Sequence, residues 1–163
     1  MTEQLIRHLN TAGRKGIRMR FTAFPLKGAN EIEFGMTSEM VASRMSGRLK
    51  IGDIRAESSD YPTYYYPDVP VFFYFDSQGH LNGIEFSRGA EVTLGGINLL
   101  NLPVRDAIAA LARLDADLVV SEEGAESHWL EIAIWCPNLG DKDDEEPVET
   151  FMLASRGYFS SEE

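Results

Sequence analysis

The chain has 163 residues, of which 44% are hydrophobic, 10% aromatic and 25% charged, a composition typical of one folded domain. Its 26 acidic and 15 basic residues give a formal net charge of −11. Because nucleic-acid binding depends on cations that displace phosphate counterions, this charge argues against direct binding of DNA or RNA. An acidic surface instead favours a basic protein partner, with solubility alone as the alternative interpretation.

Cysteine use and hydropathy favour the cytoplasm. The single cysteine, Cys136, has no partner for an internal disulfide, which fits a reducing compartment. The segment Met1–Asn10 lacks the apolar core of a signal peptide. No stretch of the sequence approaches the roughly 20 apolar residues of a membrane span. We therefore expect a cytoplasmic protein that does not act on a membrane.

The first part of the chain is predicted to contain two helices and a strand. Apolar spacing indicates an N-terminal helix over Thr2–Ala12, and alternation indicates a strand over Ile17–Phe24. Thr37 can cap the N-terminus of a short helix over Ser38–Ser46. The next segment, Asp53–Pro70, is polar and rich in tyrosine and proline, which predicts a loop or an irregular sheet edge.

A hairpin is predicted next, with arms at Val71–Asp76 and Leu81–Phe86 and Gly79 at a left-handed turn position. In the first arm, Phe72 and Tyr74 alternate with other apolar residues, so both faces are expected to be covered. The second half then begins with an extended segment and an amphipathic helix that starts at Pro103. Three later strands are predicted, at Leu118–Val120, Trp129–Trp135 and Val148–Ala154, and the last of them is expected to close the sheet. A turn is predicted at Glu122–Glu126 and an acidic loop at Pro137–Pro147.

This order of elements predicts an α+β fold, with an antiparallel sheet and helices packed on one face, in a single domain of residues 1–163. The two halves, residues 30–88 and 90–159, share the order of extended segment, glycine, helix and antiparallel strands. A duplicated unit is one interpretation of this matched order, and a coincidence of elements is the other.

No catalytic, cofactor-binding or metal-binding motif is recognisable. His8, His80 and His128 lie far apart and lack a second ligand at a chelating spacing, so exposed turn histidines are the simpler interpretation. Cys136 is more typical of a small buried residue than of a nucleophile. We therefore expect no enzyme, cofactor or metal. The alternative is a pair of carboxylates from distant segments, which sequence cannot reveal.

Two segments are candidate partner-binding elements. The first carries tyrosines, which bring large contact area at low entropic cost, and a neighbouring acid: Asp60, Tyr61, Tyr64, Tyr65 and Tyr66. A sheet edge whose tyrosines cover the core is the alternative interpretation. The second is the acidic loop, which could imitate the phosphates that a nuclease binds: Asp141, Asp143, Asp144, Glu145 and Glu146. A solvated charge run is the alternative there.

Two stretches resemble known bacterial inhibitors. The sequence Ile32–Thr37 before a helix, together with the turn Asp76–Gly79, resembles the tandem helix-plus-sheet unit of β-lactamase-inhibitor-like proteins. The second half, from Val92 to Pro103 and at Glu146–Glu149, resembles immunity proteins of contact-dependent inhibition systems. Over about residues 30 to 159, the resemblance implies a cytoplasmic immunity protein that neutralises a cognate toxin, a basic nuclease, by stoichiometric occlusion. A non-enzymatic ligand-binding, regulatory or structural domain is the alternative.

Overall fold

The computed structural model describes residues 19–45, 63–137 and 145–159, and the backbone of residues 52–53. The predicted helix Thr2–Ala12 lies outside the described residues, as does the beginning of the predicted strand Ile17–Phe24. In the described part the chain is α+β, as predicted, with two α-helices and two sheets in which antiparallel pairing dominates.

A small sheet has four strands: β1 (Arg20–Phe24), β2 (Gly28–Ala29), β3 (Ile32–Glu33) and β8 (Glu91–Leu94). A large sheet has eight: β4 (Gly52–Asp53), β5 (Thr63–Tyr66), β6 (Val71–Phe75), β7 (Leu81–Ser87), β9 (Val119–Ser121), β10 (Gly124–Ser127), β11 (Ile132–Trp135) and β12 (Thr150–Ala154). The helices are α1 (Ser38–Arg44), a short 3-10 helix (Leu99–Asn101) and α2 (Val104–Leu114).

The strand order of the large sheet is β4-β5-β6-β7-β12-β11-β10-β9, and every neighbouring pair is antiparallel. The last described strand, β12, therefore lies at the centre of the sheet rather than closing it at an edge. Each half of the chain supplies a helix followed by four strands, and the two sets meet where β7 pairs with β12. The duplication of a unit stays a prediction.

The small sheet also joins the two halves. Its order is β3-β2-β1-β8, and β1 pairs with β8 in parallel, from Arg20↔Glu91 to Ala23↔Leu94. The sequence predicted a single antiparallel sheet, so this second sheet with its parallel pair is a difference from the prediction. Parallel partners must come from distant segments, which leaves no local sequence signal.

The core lies against one face of the large sheet. Phe86 of β7 packs on Phe21 of the small sheet, with ring centroids 5.1 Å apart, and on Phe151 of β12, at 6.0 Å. Val41 of α1 and Leu111 of α2 are buried in the same apolar cluster. Both sheets and both helices therefore contribute to one core.

Several local predictions are confirmed. The Met40 N–H donates to the side chain of Thr37, which caps α1, although the helix ends at Arg44 rather than Ser46. The hairpin of β6 and β7 forms, with Gly79 at φ +79°. Helix α2 begins directly after Pro103, which occupies the N-cap position.

Three segments differ from their predictions. Residues Thr63–Tyr66, expected in a loop or an irregular sheet edge, form the regular strand β5, which lies between β4 and β6. The segment Glu122–Glu126, expected to be a turn, enters strand β10 at Gly124. The strand expected from Trp129 begins only at Ile132, because Trp129 lies in a turn and Glu131 adopts a left-handed φ of +52°.

Candidate binding face

The two faces of the large sheet differ in chemistry. One face carries the core, and the other carries a row of directly opposed residues across five strands: Phe72, Glu85, Met152, Ala133 and Glu126. Met152 and Ala133 in this row are buried, and the other three are partly exposed. Tyr65 extends this row at one end. We call the side chains of Tyr65, Phe72, Tyr74, Glu85, Glu126 and Trp135 the open face, because all six are partly exposed to solvent.

Aromatic rings dominate one side of the open face. Tyr65 stacks on Phe72 with centroids 4.4 Å apart, and Phe72 stacks on Tyr74 at 6.4 Å with nearly parallel planes. Trp135 lies farther along the sheet and contacts Phe159, whose ring centroid is 6.4 Å away. Partly exposed aromatic rings of this kind are the residues that most often anchor protein interfaces.

A tyrosine and a carboxyl group form a pair at the centre of the open face. The Tyr74 hydroxyl donates to Glu85 Oε2 over 3.1 Å. Burial, strengthened by the negative charge of Glu85, holds the pKa of Tyr74 well above its usual value. Burial also raises the pKa of Glu85, against the opposing effect of the hydrogen bond from Tyr74. In the described part of the chain no lysine, arginine or histidine pairs with Glu85.

A cavity of about 380 Å³ opens beside this pair. Its walls combine two carboxyl groups with four aromatic rings and one thioether: Tyr74, Glu85, Glu126, Trp135, Met152, Tyr158 and Phe159. The second carboxyl group, that of Glu126, has one oxygen 3.2 Å from His128 Nε2, and both of these side chains are well exposed.

The last described residues form one wall of the cavity. Glu131 is only 1% exposed, and its carboxylate accepts from the Gly157 N–H over 2.7 Å and from the Phe159 N–H over 2.9 Å. These two bonds hold the segment Arg156–Phe159 against the sheet. Glu131 therefore has a positioning role.

The predicted tyrosine cluster is divided between the two faces of the sheet. Because side chains alternate along a strand, only Tyr65 lies on the open face. Tyr64 packs edge-on against Phe75 and Tyr66 against Phe73, and Tyr66 is 2% exposed. The prediction that Tyr66 contacts a partner is therefore corrected, since its ring belongs to the core. Asp60 and Tyr61 lie outside the described residues.

The described end of the acidic loop is tied to helix α2. Glu145 Oε1 lies 3.6 Å from Arg105 Nη1, with both side chains more than half exposed. The carbonyl oxygen of Glu146 accepts from the Val104 N–H over 2.8 Å at the start of α2. These contacts do not bring Glu145 or Glu146 to the open face. The other predicted acids, Asp141, Asp143 and Asp144, lie outside the described residues.

Sequence reasoning missed most of the open face. The alternation of Phe72 and Tyr74 with core residues predicts that both faces of β6 are covered, whereas these two rings are partly exposed. Glu85, Glu126 and Trp135 come from three other strands. Only the strand order brings them together, so no local signal could have found them.

A second exposed apolar group lies at the edge strand β9. Leu114, Val119, Val120 and Trp129 are all exposed, and three of them line a cavity of about 640 Å³ with Asp115, Asp117 and His128. The buried carboxylate of Asp115 is already satisfied by the Ser127 hydroxyl at 2.6 Å and by the Asp117 N–H. The open face differs in holding Glu85, a carboxyl group beside which the described residues place no lysine, arginine or histidine.

Within the described ranges, no three His, Cys, Asp or Glu side chains are placed to bind a metal ion together. The free thiol of Cys136 is buried. Neither described α-helix has the length and apolarity needed to cross a bilayer.

Comparison of the chain with protein-family models, with curated proteins and with solved structures gives no match.

Proposed function

We propose that this protein is a non-enzymatic inhibitor of the immunity type, which binds a basic bacterial toxin domain stoichiometrically in the cytoplasm of the producing cell. A nuclease is the toxin class that best fits, because its substrate-binding surface is basic. The observation that supports the proposal is the open face, where partly exposed aromatic rings surround carboxyl groups on a chain of net charge −11.

Each part of this face has a role in binding. Tyr65, Phe72 and Tyr74 form a continuous stacked array, so a partner meets rings that are already ordered and loses little side-chain entropy on binding. Glu85 and Glu126 lie beside these rings and suit basic groups of the partner. Charge complementarity accelerates association and selects the partner, while buried rings slow dissociation.

The proposal is tested by co-expressing the chain with the protein encoded immediately upstream of it. The expected result is a stable one-to-one complex on size exclusion and suppression of the toxicity of the upstream protein. If the two proteins neither co-elute nor protect the cell from that toxicity, the proposal fails.

The surface is tested with a matched pair of variants. Phe72→Ala removes a ring from the open face, and we expect it to weaken binding by at least about 30-fold, the scale of an interface hot spot. Phe24→Ala removes a partly exposed ring from the small sheet, where Lys27 lies over it, and it should leave affinity nearly unchanged. Equal effects of the two variants would contradict the assignment of the open face.

A small-ligand-binding module is the second candidate. The observation that favours it is the cavity of about 380 Å³, which falls within the usual size of small-molecule sites. This candidate predicts that the chain elutes alone after co-expression and that a ligand in this cavity raises its melting temperature.

A further inference from the structure

We propose that the cavity on the open face is a receptor for one guanidinium group, supplied by an arginine side chain of the basic partner. The source of the arginine rests on the proposed function. The guanidinium site itself rests only on the walls of the cavity.

The first argument is charge. Glu85 brings a partly buried carboxyl group to the cavity, and its only bond to a described residue is with the neutral Tyr74 hydroxyl. A buried carboxylate is stable when a cation accompanies it, and burial without one raises its pKa, as at Glu85. An incoming cation would complete this ion pair.

Among the described residues, the cavity is lined by acidic groups and by no basic group, so its charge is negative. Glu126 contributes a second carboxyl group, whose contact with His128 is exposed. Arg156 is close in sequence to the wall residues Tyr158 and Phe159. Its guanidinium group lies over the ring of Trp129, 5.6 Å from the ring centroid, and it is not part of the cavity wall. Two carboxyl groups therefore line the cavity, and the imidazole of His128 lies beside one of them, that of Glu126.

The second argument is shape. Tyr74, Trp135, Tyr158 and Phe159 supply flat aromatic walls, on which a cation is held by the negative faces of the rings. A guanidinium group is planar, stacks on such rings and offers five N–H donors in a fixed fork. It is also more weakly hydrated than an ammonium group, so it enters a partly dry cavity more readily. Met152, which is buried, adds an apolar wall that keeps water away.

The site can be tested without the partner. The full chain contains two tryptophans, Trp129 and Trp135, so Trp129→Phe leaves the fluorescence of Trp135 as a direct reporter of the cavity. We would titrate this protein with N-acetyl-arginine methylamide. We expect a saturable change in emission with a Kd on the order of millimolar, the scale for a ligand this small. The citrulline analogue has the same shape without the charge, and it should not bind.

The variants isolate the carboxyl groups. In the same background, Glu85→Gln should weaken binding of the arginine probe by at least about tenfold, since an ion pair becomes a neutral contact. Glu126→Gln should weaken it by a smaller factor, and it provides a second test should Glu85→Gln perturb the fold. Glu122→Gln makes the same change of charge at an exposed turn position outside the cavity, and it should have no effect.

Any of three outcomes would overturn the guanidinium site. The arginine and citrulline probes could bind equally, Glu85→Gln and Glu122→Gln could have equal effects on binding, or the titration could give no saturable signal. Tighter binding of choline than of the arginine probe would assign the cavity to quaternary ammonium groups instead. If the arginine probe binds but co-expression gives no complex, the guanidinium site stands and the immunity function fails. If a complex forms and depends on Phe72 but not on Glu85, the immunity function stands and the guanidinium site fails.

Discussion

Glu85 has the features of a residue placed for binding at the expense of stability. Its carboxyl group lies on the open face, partly buried, with the Tyr74 hydroxyl as its hydrogen-bond donor. Burial raises the pKa of Glu85, so the folded protein holds this proton more tightly than the unfolded chain does. The carboxyl group therefore favours folding below its unfolded pKa, and this contribution is lost as pH rises through the higher folded pKa.

Glu85→Gln should therefore change stability in a pH-dependent way. Glutamine stays neutral at every pH and can still accept a hydrogen bond from Tyr74. At pH 7 we expect the variant to be at least as stable as the wild type, with a gain of up to about 1 kcal/mol. Near pH 4, where the wild-type carboxyl group is protonated in the folded protein, the gain should vanish. Urea unfolding of both proteins at the two pH values measures this difference, and a gain that grows toward pH 4 would contradict it.

Tyr66 places a polar group in the core, where the described residues offer it no hydrogen-bond partner. Its hydroxyl is buried and has no hydrogen-bond partner among the described residues, and burial raises its pKa. Because a buried unsatisfied hydroxyl costs about 1–3 kcal/mol, Tyr66→Phe should leave stability unchanged or raise it by about 1 kcal/mol. Tyr66→Ala removes the ring as well and should cost about 3–5 kcal/mol. Chemical denaturation measures the free energy of unfolding of both variants. A clear loss of stability in Tyr66→Phe would show that the Tyr66 hydroxyl does have a hydrogen-bond partner.

The tyrosine run also shows why sequence could not place these residues. Strand prediction relies on alternation between apolar and polar residues, and Tyr64, Tyr65 and Tyr66 are identical. Alternation is invisible when both faces of a strand carry the same residue type. The flanking prolines then favoured a loop. The alternative interpretation, tyrosines that cover the core, applies to Tyr64 and Tyr66.

At the scale of elements, the glycine in strand β10 illustrates how a turn signal can mislead. The sequence predicts a turn around Gly124, yet this glycine lies at the start of β10, opposite Trp135 of β11. Its φ is +153°, and a Cβ atom added there would collide with the backbone oxygen of Ile134. The glycine permits close approach of two strands, which a one-dimensional reading cannot distinguish from a turn.

This packing predicts a large effect of Gly124→Ala. The methyl group meets backbone atoms, which cannot move aside cheaply, so we expect a loss of more than about 2 kcal/mol in stability. Gly79→Ala is the matched control, since Gly79 has φ +79° but nothing within 4 Å of an added Cβ. It should cost only the conformational strain, about 1–2 kcal/mol. Thermal unfolding ranks the two, and an equal loss would show that β10 and β11 can separate.

Other elements were predictable because their signals are local. Helix α2 follows from apolar spacing after Pro103, and the β6–β7 hairpin from two apolar arms around the turn at Gly79. The position of β12 at the sheet centre was not predictable, because its neighbours β7 and β11 are set by tertiary packing. The open face depends on that order. It could therefore be found only in three dimensions.

At the scale of the whole molecule, the two halves share both sheets and one core. The β7–β12 ladder joins them in the large sheet, and the β1–β8 pair joins them in the small one. We therefore expect a single cooperative unfolding transition. Both tryptophans lie in the second half, so their fluorescence follows unfolding of that half. Phe73→Leu, in the first half, should therefore lower the unfolding midpoint seen by fluorescence as much as the midpoint seen by circular dichroism. A destabilisation on the order of 1 kcal/mol is enough for this test, and separate midpoints would contradict a shared core.

The net charge of −11 gives a last prediction, on the kinetics of association with a basic partner. Salt screens long-range attraction, so raising NaCl from about 0.05 M to about 0.5 M should slow association by about tenfold or more. The dissociation rate should change much less, because it depends on short-range contacts. Phe72→Ala should do the reverse, with faster dissociation and nearly unchanged association. Stopped-flow mixing resolves both rates. An association rate that is insensitive to salt would assign the acidic surface to solubility alone and leave recognition to the aromatic rings.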